Sequence, residues 1–121
     1  MITLFWICTI LTTILFFGAG FTKLIFKKAR LKSMHMDWVE DFSEPVVKLI
    51  ASAETVGALG VLLPIVSGVA PLLSPIAATC LALLMLGAVG THLKRKEAPY
   101  IPLALAVIAG ITAALGYGYL S

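Results

Sequence analysis

Ala51-Ser-Ala-Glu54-Thr-Val-Gly57-Ala-Leu-Gly60-Val-Leu-Leu-Pro64 sets a single carboxylate inside an apolar run long enough to cross a bilayer. A charge at that depth costs roughly 2.5–3.5 kcal/mol on the permissive insertion scale, so it faces protein or water and takes a partner. Winding the segment at about 100° per residue groups Ala51, Gly57 and Ala58 with Glu54. Leu49, Val56, Leu59 and Leu63 collect on the other side. Small residues let neighbouring helix backbones approach, and bulky aliphatic ones suit lipid. Glu54 therefore faces inward.

Outward from this stretch the pattern repeats. Of 121 residues, 60% are hydrophobic and only 12% charged, where a soluble domain carries about a quarter charged residues. The apolar residues form four runs of spanning length: Ile2–Phe26, Pro45–Val66, Pro75–Leu93 and Pro99–Leu120. None carries the polar stripe of a soluble bundle helix. The expected fold is an all-α membrane protein, one antiparallel bundle of four transmembrane helices covering residues 1–121, with helices near 2–26, 45–66, 75–93 and 99–120. The first run has no basic n-region or cleavage site and is expected to be retained.

Charge is confined to a few places. Met1–Thr22, Thr55–Leu93 and Ala98–Ser121 hold no Asp, Glu, Lys or Arg. The basic residues lie at Lys23, in Lys27–Glu44, at Lys48 and in Lys94–Lys96. Lys/Arg-rich short loops stay cytoplasmic, so both termini and the Ser67–Ser74 turn are expected on the exoplasmic side. A cell membrane, such as a bacterial inner membrane, is the expected location. The basic residues neighbour acids and lack a base-stacking platform, so nucleic acid is not an expected partner. The bilayer is, together with another membrane protein or a second copy of the chain.

Local signals place the segments. Ser43 before Glu44-Pro45 and Ser74 before Pro75 read as helix starts, and the second run is expected to end near Pro64. Thr9, Thr12, Phe16, Ala19, Gly20 and Lys23 form one face of the first run, a weakly polar packing seam. Ala106, Gly110, Ala113 and Tyr117 form a comparable seam on the fourth. Gly20, Gly57, Ala58, Ala88 and Gly110 are the expected close-packing positions. Phe5 and Trp6 look like interfacial anchors. Lys27–Glu44, with Met34, Met36, Trp38, Val39 and Phe42, reads as an interfacial amphipathic segment with Trp38 at the headgroups.

Lys23, Glu54 and His92 are the titratable side chains in or at the ends of the spans. Glu54 lies about nine residues, or roughly 13 Å, above the inner start of its helix. Helical side chains lean toward the helix N-terminus. That lean carries Lys23 deeper and Glu54 back toward the cytoplasm, so the two heads approach, and His92 leans into the same layer. Two readings follow: a structural ion pair that fixes packing, or a ligand, proton or quinone site in the cytoplasmic half.

No metal site is expected from one His and one Glu, and His35 lies far along the loop. Nucleophile, phosphate-loop and dinucleotide motifs are missing, so no catalytic residue is assigned. The two cysteines, Cys8 and Cys80, lack CxxC spacing and are expected to be unpaired.

Gly20-Phe-Thr-Lys23-Leu24, Glu54 to Pro64 and Met85-Leu-Gly-Ala88-Val-Gly-Thr-His92 together resemble the DoxX-like family of small four-helix membrane proteins. The resemblance implies an integral bundle but no single function. The family name comes from a subunit associated with a quinone-linked sulfur oxidoreductase. Other relatives are linked to oxidative-stress membrane complexes or to chaperoning membrane proteins. The family's Lys, Glu and His fall on Lys23, Glu54 and His92. A paired-cysteine redox motif is missing, which speaks against direct thiol chemistry.

The expected function is a non-catalytic accessory, assembly or scaffold subunit that needs no cofactor. The rivals are a quinone-interacting subunit of a membrane oxidoreductase, for which a bound quinone is the cofactor, and a small-molecule carrier.

Overall fold

The computed structural model describes residues 2–34 and 36–121, so His35 lies outside the described residues. Its long helices are α1 (Ile2–Ile25), α3 (Glu44–Ser67), α4 (Leu73–Lys94) and α5 (Tyr100–Leu120). All four are long and apolar enough to cross a membrane. Between α1 and α3 lie a short helix, α2 (Lys28–Ser33), and a 3-10 turn at Asp37–Asp41.

Registers between helices give the direction of packing. Along α3 and α4, Gly57 faces Leu81, Gly60 faces Ala77, and Val61 receives the Ser74 hydroxyl at 2.5 Å. One number rises as the other falls, so the pair runs antiparallel. Gly20 meets Glu54 and Thr55, while Lys48 reaches back to Lys23 and Phe26, so α1 and α3 also run antiparallel. Thr12 bonds Thr112 at 2.8 Å and Phe5 stacks on Tyr119 at 4.6 Å, which joins α1 to α5. Gly116 against Pro75 joins α5 to α4 and closes the ring of four. Phe16, Ala58, Val61, Ala78, Leu81, Met85, Ala106, Ala109 and Ala113 fill its centre.

The α3 faces follow from the winding. Ala51, Glu54 and Ala58 are buried, whereas Leu49, Val56, Leu59 and Leu63 are exposed on the outside of the bundle. Helix α3 runs past Pro64, which costs one backbone donor without stopping the helix. The stop is Gly68, left-handed at φ +75°, whose amide bonds the Pro64 carbonyl at 3.0 Å. Ser74 does not cap α4, which starts at Leu73; its hydroxyl is spent on α3 instead.

Several positions differ from the linear reading. Phe5 is 2% exposed and stacked on Tyr119, so it is a core residue and no interfacial anchor. Gly110 is not a close-contact position, because a Cβ placed there meets nothing within 4 Å. Tyr117 is exposed too. The α5 seam runs instead through Pro102, Ala106, Ala109, Ala113 and Gly116. Helical periodicity gave a stripe of the right width, turned by about one position.

The basic-loop end carries a second small core. Leu31, Val39 and Val47 are fully buried there, packed by Phe26, Met36, Trp38 and Phe42. The segment after α1 thus folds back onto α3 at the end of the bundle.

A candidate binding cavity at the basic-loop end

Lys23 sits in the last turn of α1 and Glu54 in the middle of α3. The Lys23 ammonium donates to Glu54 Oε1 at 2.6 Å, with side-chain exposures of 11% and 1%. Gly20 is what lets the two helices come this close. A Cβ there would lie 2.6 Å from Thr55 Oγ1, 2.8 Å from Thr55 N and 2.9 Å from Glu54 Cβ. Two of those three atoms cannot move without shifting α3. Any side chain at position 20 would push α1 away and stretch the pair.

Lys48 was legible only as a topology charge, yet it has a structural role. Its ammonium donates to the carbonyls of Lys23, at 2.6 Å, and Phe26. These carbonyls end α1 and have no helical partner, and a lysine there satisfies them and complements the helix dipole. Lys48 thereby fixes the backbone that presents Lys23. The usable signal is a basic residue one helix away, at the depth where α1 ends.

Trp38 comes down from the folded-back segment. Its ring lies 5.6 Å from the Lys23 ammonium, within cation–π range, and 5.8 Å edge-on from Phe42. It is therefore part of the cavity wall. The cause is tertiary: Leu31 and Val39 pull the segment onto Val47 of α3.

Salt bridges clasp this segment to α4. Arg95 donates to Asp41 at 2.7 Å and to Glu40 at 2.8 Å, while Lys32 meets Glu40 at 2.7 Å. Hydrogen bonds from Lys32 and then Arg95 hold the Glu40 carboxyl down at about 2. Glu40 and Asp41 in turn push the Arg95 guanidinium upward. Lys32 is raised by the same Glu40 contact.

Between this folded-back segment, which forms a lid, and the helices lies a cavity of about 540 Å³. Lys23, Glu54 and His92 all line it, along with Trp38, Phe42 and Met85. Ala88 packs against the core cluster and also lines this space. Gly57 does receive a neighbour, with Leu81 Cδ2 2.7 Å from a Cβ placed there, and Ala58 is fully buried. His92 shares the wall without joining the pair: its Nδ1 stands 3.4 Å from Glu97 Oε1, short of hydrogen-bond geometry. Glu97 lies just past the end of α4, so the ring turns toward its own helix terminus. Among the described residues no group of three His, Cys, Asp or Glu side chains converges on a metal position. Cys8 and Cys80 are free.

Glu54 Oε2 is the chemical irregularity of the site. It is buried and has no hydrogen-bond partner among the described residues. A buried acceptor left unmatched costs about 1–3 kcal/mol, more when charged. The site thus combines a satisfied ion pair, one idle acceptor and a largely apolar wall.

Comparison with curated proteins and with solved structures gave no significant match. The model of the DoxX-like family matches residues 7–115, which takes in α3 and α4, most of α1 and α5, and each of Lys23, Glu54 and His92. This small multi-pass membrane protein therefore belongs to the DoxX-like family.

Proposed function

We propose that the protein is a non-catalytic accessory subunit of a membrane assembly, contributing a binding site for a small molecule. The supporting observation is the cavity whose wall carries the Lys23–Glu54 pair, covered on one side by a segment that ends on salt bridges. Glu54 Oε1 is taken up by Lys23, and His92 turns to Glu97, so the polar groups are arranged to hold a molecule rather than to pass a proton along a chain. The basic loops face the cytoplasm in this reading, which sets the cavity in the inner leaflet. Affinity purification from native membranes in mild detergent tests it. A stoichiometric membrane-protein partner is expected, with no turnover by the isolated chain. A chain that purifies alone, as monomer or as copies of itself, would contradict the assembly role.

A second reading is the quinone-interacting subunit. Trp38 and Phe42 favour it, because they offer aromatic faces to a flat ring beside a lysine donor. Stoichiometric quinone extracted from the purified protein, and its reduction on adding a donor, would decide for this reading.

A further inference from the structure

We propose that the cavity takes a neutral, hydroxyl-headed amphiphile from the bilayer, its hydroxyl bridging Lys23 and Glu54. This deepens the binding-site reading above and rests on it. Three observations carry the inference. Glu54 is 1% exposed and lines the cavity, and among the described residues its Oε2 has no partner, so a donor on the head would satisfy it. Among the described residues, Lys23 Nζ has one hydrogen-bond acceptor, Glu54 Oε1, although an ammonium carries three donor hydrogens. The head is therefore offered a donor as well. A hydroxyl gives one hydrogen and accepts another, and so satisfies both groups at once.

Charge and shape narrow the class. Lys23 and Glu54 already neutralise one another, so an ionic head would bring an unpaired charge into an apolar wall. A head with acceptors only, such as an oxidised quinone, meets Lys23 and leaves Oε2 unmatched. Met34 and Ile101 line the cavity and are also exposed, at 39% and 76%. The cavity thus opens where α2 ends and α5 begins, at the level where the spans meet the headgroups. A molecule dissolved in the bilayer reaches it from there, tail in lipid and head inward.

Hydroxyls of this kind come from ring systems or from aliphatic chains, and matched probes separate the two. The full chain carrying Trp6→Phe, in lipid nanodiscs, leaves Trp38 as its fluorophore. It is titrated with 4-hexylphenol and its methyl ether, and with 1-decanol and its methyl ether. Each pair differs by the donor alone. A saturable Trp38 response is expected at about tenfold lower concentration for the hydroxyl member of one pair. That pair names the source. The preference is expected to vanish in Lys23→Met/Glu54→Gln, and 2-hexyl-1,4-benzoquinone is expected to compete at least about tenfold less well than the preferred probe. Ala88→Leu adds bulk to the cavity wall from α4, and is expected to abolish the response.

Equal binding within both pairs would reduce the site to an apolar hole. No saturable response at all would reduce it to a space holding water. A preference surviving the double variant, or Ala88→Leu, would put the hydroxyl elsewhere, and a quinone competing as well as the alcohol would remove the need for a donor. Each of these overturns the proposal and leaves the purified partner, which tests the accessory role, untouched.

Discussion

At the end of the bundle away from the basic loops, α1 and α5 close on each other through Phe5 stacked on Tyr119, and Gly116 lets α5 rest on Pro75. At the basic-loop end α1 meets α3 through a lysine and a glutamate, which line a cavity of about 540 Å³. One end is held by shape, the other by charge. Shape-held contacts lose stability in proportion to the atoms removed. A charge pair behaves differently, because deleting either member strands the other in a low-dielectric site. The two ends should therefore respond differently to equally small changes.

The largest effect is expected at the pair. Glu54→Gln leaves the Lys23 ammonium without its carboxylate and is expected to cost about 3–5 kcal/mol. The measurement is the unfolding midpoint of the purified protein in detergent. A midpoint within error of the parent would mean that water already shields Lys23.

Next in size is Gly20→Ala, where a Cβ would stand 2.8 Å from the Thr55 backbone nitrogen. Overpacking of this kind costs about 1–3 kcal/mol. Gly18→Ala serves as the control, since a Cβ there meets nothing within 4 Å. The better helix former is expected to raise stability by about 0.5–1 kcal/mol. Equal effects from the two glycines would remove the close approach on which the pair depends.

In the middle of the bundle, Thr112→Val removes the hydroxyl that meets Thr12 at 2.8 Å. The expected loss is about 0.5–1.5 kcal/mol, read from the same unfolding curves, because a neutral hydrogen bond contributes no more. A loss matching that of Glu54→Gln would erase the contrast between neutral and charged contacts.

The smallest effect belongs to the lid clasp, which is exposed to water and salt. Glu40 is held below its ordinary value of 4.5, at about 2. A depressed carboxyl stabilises the fold above its unfolded value, and that stabilisation is lost as pH falls through the folded one. Between about 4.5 and 2 the lid is therefore expected to loosen. Faster amide exchange over residues 28–41, with α4 unchanged, would report it. Uniform exchange across both would mean that the lid and the bundle open together.

Much of this was legible in the chain. Periodicity around Glu54 told which side of α3 faces inward, and depth with side-chain lean brought Lys23 toward it. These are properties of single helices, and a helix carries them in its own sequence. Gly110 and the His92–Glu97 contact were not legible, because a helix's rotation against a third helix depends on every neighbour. Trp38 is the clearest case. Residues 27–44 have no sustained period, and the ring reaches Lys23 only because Leu31 and Val39 find Val47 across the fold.

The central claim is that Lys23 and Glu54 act as one unit, and a double-mutant cycle tests it directly. Lys23→Met, Glu54→Gln and the combined variant are compared with the parent by unfolding in the same detergent. The combined loss is expected to be smaller than the sum of the single losses by about 1–3 kcal/mol, since the second substitution removes the charge that the first left stranded. Strictly additive losses would contradict it.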